Sequence, residues 1–169
     1  MTDLIFHRGP DDEGYIFLST DKSIRVAGGK STPPAVWETP TEYRPSVEAG
    51  DYSHQYSLLA FGHRRPSILD LSPGGHQPMS YKNGQYWIVF NGEIYNYRDI
   101  RHELEKNGYR FITGSDTETV LAAYAEWGVN CFERFVGMWA LAIYDHGKKE
   151  IVLSRDRYGI KPLYYYFSP

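Results

Sequence analysis

The sequence predicts an α+β domain, and three observations carry that expectation. Turn residues punctuate the chain about every dozen positions, and the runs between them are rich in Val, Ile, Tyr and Phe, the rhythm of strands. Two helical periodicities interrupt those runs. Val136 to Asp145, the loop His146-Gly147-Lys148-Lys149 and Glu150 to Ser154 read as an antiparallel hairpin, which argues against a parallel, doubly wound sheet.

Taken in order, Gly14 to Leu18 is the first predicted strand. Gly28 to Tyr56 holds four of the 10 prolines among scattered Ser, Thr and Gly, and reads as a long surface excursion. Ser57 to His63, Ser67 to Leu71 and Tyr86 to Asn91 follow as strands. A helix over Tyr97 to Asn107 places Ile100 and Leu104 one turn apart and stops at Gly108. Ser115-Asp116-Thr117-Glu118 reads as a capping box ahead of Val120, Leu121, Tyr124 and Trp127. Both helices are amphipathic and need a sheet to cover. Gly137 to Asp145 and Glu150 to Arg155 form the hairpin, and Pro162 to Phe167 is the last expected strand. No internal repeat is present.

Composition narrows the function classes. With 169 residues the chain has room for one domain, residues 1–169, and 41% hydrophobic against 23% charged residues is a globular balance. A net charge of -3 gives no electrostatic reason to bind nucleic acid or an anionic membrane. The longest uncharged apolar stretch, Phe135 to Tyr144, is about half of a bilayer span. No basic and apolar leader opens the chain, so a cytoplasmic location is expected. The single cysteine, Cys131, can form neither an internal disulfide nor a CxxC site, and the six histidines show no metal-ligating spacing.

Six ordered motifs carry more. They are His7-Arg8-Gly9-Pro10-Asp11-Asp12-Glu13-Gly14, Gly62-His63-Arg64-Arg65-Pro66 running through Ile68 to Gly75-His76-Gln77-Pro78-Met79, and Phe90-Asn91-Gly92-Glu93-Ile94-Tyr95-Asn96-Tyr97. Gly114-Ser115-Asp116-Thr117-Glu118, Gly137-Met138-Trp139-Ala140-Leu141 and Arg155-Asp156-Arg157-Tyr158-Gly159-Ile160-Lys161-Pro162 complete the set. Together they resemble the glutamine amidotransferase domain of bacterial asparagine synthetases. Relatives that deliver ammonia to phosphoribosyl pyrophosphate or fructose 6-phosphate share the last motif and the Ser-Asp-Thr-Glu element. The remaining motifs are closer to the asparagine synthetase branch, in which sugar- and peptide-modifying amidotransferases also fall.

The resemblance implies a four-layer αββα sandwich of the N-terminal nucleophile hydrolase type, built mostly of antiparallel sheets. It also implies that a cysteine directly behind the initiator Met attacks glutamine, giving a thioester and ammonia. By the same resemblance Asn91 and Gly92 form the oxyanion hole. Arg65 clamps the α-carboxylate of L-glutamine, Asp116 receives its α-ammonium, Glu93 assists, and the backbone around Ile68 forms a pocket wall. Glycine at position 92 is expected to let substrate approach the backbone. An acid in a first helical turn is also stabilised by the helix dipole, so Asp116 has a purely structural reading beside the functional one. Arg64 is expected to pair with a carboxylate at the surface. Arg155, Asp156 and Arg157 read as a structural ion-pair cluster, and Cys131 as a packed residue. Pro66, where the family usually has leucine, biases Arg65 toward an extended backbone.

The family's opening Met-Cys-Gly-Ile strand is not found ahead of His7. Thr2, which loss of Met1 would expose, sits where the family has no nucleophile. The expectation is therefore an N-terminally truncated glutaminase domain that is inactive as written. It needs no cofactor, since ATP and Mg belong to a synthetase domain absent from these residues. The open alternatives are a non-catalytic glutamine-binding or interaction module and an amidotransferase with another acceptor. An exposed sheet edge would favour self-association, and an added Met-Cys-Gly-Ile extension would make the chain more monomeric.

Overall fold

The computed structural model describes residues 2–52, 56–66 and 72–168. Its frame is two four-stranded sheets stacked face to face. The first is built from β1 (Asp12–Leu18), β2 (Ile24–Gly28), the two-residue β3 (Val47–Glu48) and β4 (Leu59–Arg65), in the order β3-β2-β1-β4. The second follows as β5 (Met79–Tyr81), β6 (Tyr86–Ile94), β7 (Gly137–Asp145) and β8 (Glu150–Arg155), in that order. Every pairing is antiparallel except β2 with β3.

Two helices, Tyr97–Lys106 and Asp116–Trp127, pack on each other, and the second lies on β5 and β6. Its Tyr124 ring meets Tyr86 edge-on at 5.6 Å. On the outer side of the first sheet the cover is thinner. A 3-10 segment, Thr2–Arg8, lies along β4, and Tyr52 of a four-residue helix, Ala49–Tyr52, stacks on Phe17 at 6.0 Å. One buried cluster joins the sheets: Ile16, Leu18, Val26 and Phe61 of the first meet Ile88, Phe90, Leu141 and Ile143 of the second, with Val120 and Leu121 behind them. This is the αββα sandwich that the resemblance implied.

The hairpin is in register, with Asp145 opposite Glu150, and both of its strands begin and end where the sequence places them. Several expectations need correction. Pro162 to Phe167 forms no strand: Tyr164 to Phe167 are all exposed, so this run has no apolar face to cover and no ladder to join. Gly28 to Tyr56 is no mere surface excursion. It carries the helix Pro34–Glu38, buries Val36 and Tyr43, and Tyr43 donates its hydroxyl to the Gly74 carbonyl at 2.6 Å. The strands β2 and β5 have no counterpart among the sequence expectations, because each is short and carries too little alternation to be seen. The expected strand Ser67 to Leu71 lies outside the described residues.

The capping box is only half built. Ser115 Oγ accepts the Thr117 N–H at 3.1 Å, but the Ser115 N–H goes to Thr113 Oγ1 at 3.2 Å. Glu118 is thereby free to take the N–H groups of Ile112 and Thr113 at 2.9 and 2.7 Å. The Arg155-Asp156-Arg157 run holds backbone, not other charges. Arg155 donates to the carbonyls of Gly159 and Lys161, Arg157 to those of Glu133 and Phe135, and Asp156 accepts N–H groups from Trp139, Tyr158, Ile160 and Lys161. Burial pushes the Asp156 carboxyl up, but those four donors outweigh it and hold it down at about 2.

Candidate functional site

The site begins with the open edge of β6. Antiparallel strands alternate residues that bond across the ladder with residues that bond away from it. Trp139 bonds away from β6: its carbonyl accepts from the Asp156 N–H at 2.8 Å and its own N–H reaches Asp156 Oδ2 at 3.2 Å. Gly92, its cross-strand partner, therefore also turns its N–H away from β7. On that side β5 has already ended, at Met79 opposite Ile88.

The neighbours of Gly92 along this edge are occupied by side chains. The Phe90 N–H donates to Gln77 Oε1 at 2.7 Å, and the Ile94 N–H to Asp116 Oδ2 at 3.0 Å. Between them the Gly92 N–H faces a cavity of about 320 Å³, within the size range of small-ligand sites. A Cβ on Gly92 would strike the Met138 carbonyl and the Trp139 Cα, so glycine at this position permits the close approach of β7.

Arg65, Asn91, Gly92, Glu93 and Asp116 all line this one cavity. Ile68 lies outside the described residues. Arg65 is the last residue of β4, extended as the following Pro66 requires, and its side chain is buried. Its Nη1 donates to the Ser72 carbonyl at 3.2 Å. A Cβ on Gly75 would collide with its guanidinium, so a glycine there is what admits the Arg65 side chain. Asp116 sits in the first turn of the helix Asp116–Trp127. Burial pushes its carboxyl up to about 6 against the pull of the Ile94 and Thr117 N–H groups, and the charge of Glu93 adds to the rise.

Arg64 also lines the cavity, but its guanidinium is engaged by carboxylates: it is buried, not superficial, and pairs with Glu13 at 2.6 Å and Asp3 at 2.7 Å. Cys131 is buried, with its thiol pushed up to about 12 by that burial. Such a thiol offers almost no thiolate at neutral pH. Thr2 spends its hydroxyl on the Tyr15 hydroxyl at 2.5 Å. Among the described residues no three His, Cys, Asp or Glu side chains are grouped as metal ligands would be.

His63, Gln77, Met138 and Lys161 also line the cavity, and no role was assigned to them from sequence. All four lie within the six ordered motifs, so their presence is visible in the sequence and their task is not: His63 and Met138 reach the cavity through strand register, and Lys161 through the turn after β8, which a linear motif does not convey.

Three comparisons bear on this arrangement. Residues 42–168 match the profile of the glutamine amidotransferase domain. Two proteins of Bacillus subtilis strain 168 are similar along nearly the whole chain. They are the glutamine-hydrolysing asparagine synthetase 1, 38% identical over 98% of the chain, and asparagine synthetase 2, 34% identical over 98%. The chain spans 20% of the first and 17% of the second. Among solved structures, the glutamine phosphoribosylpyrophosphate amidotransferase from B. subtilis superposes with a TM-score of 0.67 at 21% identity, over 95% of this chain and 34% of that one. That likeness bears on the fold.

Proposed function

The chain belongs to the glutamine amidotransferase domains of asparagine synthetase-like proteins, and from that premise we propose that its cavity binds L-glutamine and supplies the donors for hydrolysing the side-chain amide. One observation carries this reading. Arg65, Asn91, Gly92, Glu93 and Asp116, scattered through the sequence, converge on one cavity into which the Gly92 N–H is directed.

Attack on the carboxamide carbon leaves negative charge on its oxygen. The Asn91 side-chain amide and the Gly92 N–H donate to that oxygen, and loss of one such donor typically costs about 100- to 1,000-fold in rate. The guanidinium of Arg65 holds the α-carboxylate through a pair of N–H donors. Asp116 takes the α-ammonium, and Glu93 binds the remaining polar hydrogens. None of these tasks requires a metal or cofactor.

The attack itself needs a thiolate, supplied in the family by an N-terminal cysteine. Cys131, buried and without a free α-amine, does not meet that need. The residues of this cavity accordingly supply the binding and oxyanion groups of the reaction. Ammonia from the full process would pass to an acceptor on a synthetase domain, where ATP and Mg would act. A cytoplasmic location and self-association through a free sheet edge complete the reading.

Titration calorimetry tests it. L-Glutamine should bind, and L-glutamate should bind at least about tenfold more weakly because a charged terminus replaces the neutral amide against Glu93. Absence of heat with L-glutamine, or equal affinity for the two, contradicts the assignment.

A further inference from the structure

Gly75-His76-Gln77 runs from the Arg65 side chain to the edge of β6. We propose that Gln77, assisted by His63, is a positioning residue that holds the Phe90–Asn91 peptide and thereby aims the Gly92 N–H into the cavity. The inference rests on the glutamine reading above and deepens it.

Past Met79, among the described residues, no strand lies on the side of β6 away from β7, which would leave the buried N–H and carbonyl of Phe90 without ladder partners. The Gln77 side chain stands in for that strand. Its Oε1 accepts the Phe90 N–H at 2.7 Å and its Nε2 donates to the Phe90 carbonyl at 3.3 Å, so one primary amide reproduces both halves of a ladder pair. His63 Nε2 lies 3.2 Å from the same carbonyl oxygen. A carbonyl can only accept, so Nε2 carries the hydrogen. Burial holds the His63 pKa down at about 4, so the ring is neutral and that tautomer is fixed.

The segment is tied down on both sides. His76 Nδ1 pairs with Asp12 Oδ2 at 2.8 Å, both groups buried, which anchors the dipeptide to β1 of the opposite sheet. Gly75 faces the Arg65 guanidinium. A single tripeptide thus touches the carboxylate clamp at one end and the oxyanion strand at the other. The Phe90 carbonyl shares its peptide plane with the Asn91 nitrogen, so three bonds on Phe90 fix the direction in which Asn91 and Gly92 leave. Gly92 is the next residue whose N–H points to that same edge.

A role in satisfying buried groups alone would lower stability and weaken every ligand alike, whereas a positioning role acts on the carboxamide end alone. The test is an NMR titration of the ¹⁵N-labelled chain and its Gln77→Leu and Gln77→Glu variants with L-glutamine and with L-norvaline, which keeps both α-groups and lacks the carboxamide. In the wild type, glutamine should shift the Gly92 amide. In Gln77→Leu that shift should vanish and glutamine affinity fall about fivefold, the scale of one lost hydrogen bond, while norvaline affinity stays the same. Gln77→Glu keeps the acceptor for the Phe90 N–H and should retain most of the Gly92 response, and it carries the comparison should Gln77→Leu lose its dispersed spectrum. Wild-type behaviour in Gln77→Leu, or equal loss for both ligands, overturns the proposal. So does a Gly92 response in Gln77→Glu as small as that of Gln77→Leu. A wild type that binds no glutamine would instead defeat the glutamine reading. The ligand-free spectra then decide positioning: a displaced Gly92 amide in Gln77→Leu supports it, and an unmoved one overturns it.

Discussion

Asp116 accepts the backbone N–H of Ile94 at 3.0 Å while its carboxyl lines the cavity, so one side chain joins the N-terminus of a helix to the edge of β6. Burial raises that carboxyl from 3.8 to about 6. An α-ammonium favours the ionised form, so glutamine affinity should fall about tenfold between pH 7 and pH 5, the loss expected when a group of this pKa protonates. His63, at about 4, stays neutral across that window. The folded state holds this proton more tightly than the unfolded chain, so the Asp116 contribution to stability is largest below about pH 4 and declines as the pH rises through 6. Calorimetry at both pH values checks the affinity, and Asp116→Asn should flatten the profile.

Glu118 should matter more to stability than a helix-surface acid would. Its side chain is buried, and it accepts the Ile112 and Thr113 N–H groups and the Thr113 hydroxyl at 2.9, 2.7 and 2.7 Å. Glu118→Ala should cost about 2 kcal/mol, since it leaves three part-buried donors without their acceptor. Urea unfolding measures this, and Glu118→Gln, which retains one acceptor oxygen, should lose less.

Neither Cys131 nor Thr2 should act as the nucleophile for glutamine hydrolysis, since the Cys131 thiol is buried and pushed up to about 12 and the Thr2 hydroxyl is engaged by that of Tyr15. Any rate of ammonia release from glutamine should be unchanged in Cys131→Ser and in Thr2→Ala. An ammonia assay checks this, and loss of activity in either variant would contradict it.

β4 should promote self-association. Among the described residues it pairs with β1 alone, the 3-10 segment Thr2–Arg8 lies along it without forming a ladder, and its exposed positions, Ala60 and Gly62, carry no charge to block an incoming strand. Light scattering should show a mass that rises with concentration, and Ala60→Lys should reduce that rise.

The sequence displayed those parts of the fold whose information is local. The hairpin of β7 and β8 was legible because alternation, a Gly-containing loop and length agree over one continuous stretch. The helices were legible from Ile100 with Leu104 and from Ser115. Tyr43 was hidden, because a lone aromatic among prolines gives no period, and its burial depends on the distant Gly74 carbonyl. Pro162 to Phe167 misled because aromatic residues signal strands only where a neighbouring strand can pair with them. In the site, Arg65, Asn91, Gly92, Glu93 and Asp116 could be named through the resemblance, since each lies within a motif. Gln77 could not be given a task, because its work is defined by where β5 stops.

The central claim is that Arg65 holds the α-carboxylate of glutamine in this cavity. The most direct measurement is a thermodynamic cycle by calorimetry between the wild type and Arg65→Ala, with L-glutamine and its α-carboxamide derivative, in which that carboxylate is neutralised. The account predicts that either change alone weakens binding by more than about 1.5 kcal/mol and that the two together weaken it little further, because both remove the same charged hydrogen bonds. Additive losses, or equal affinity of the wild type and Arg65→Ala for L-glutamine, would contradict it.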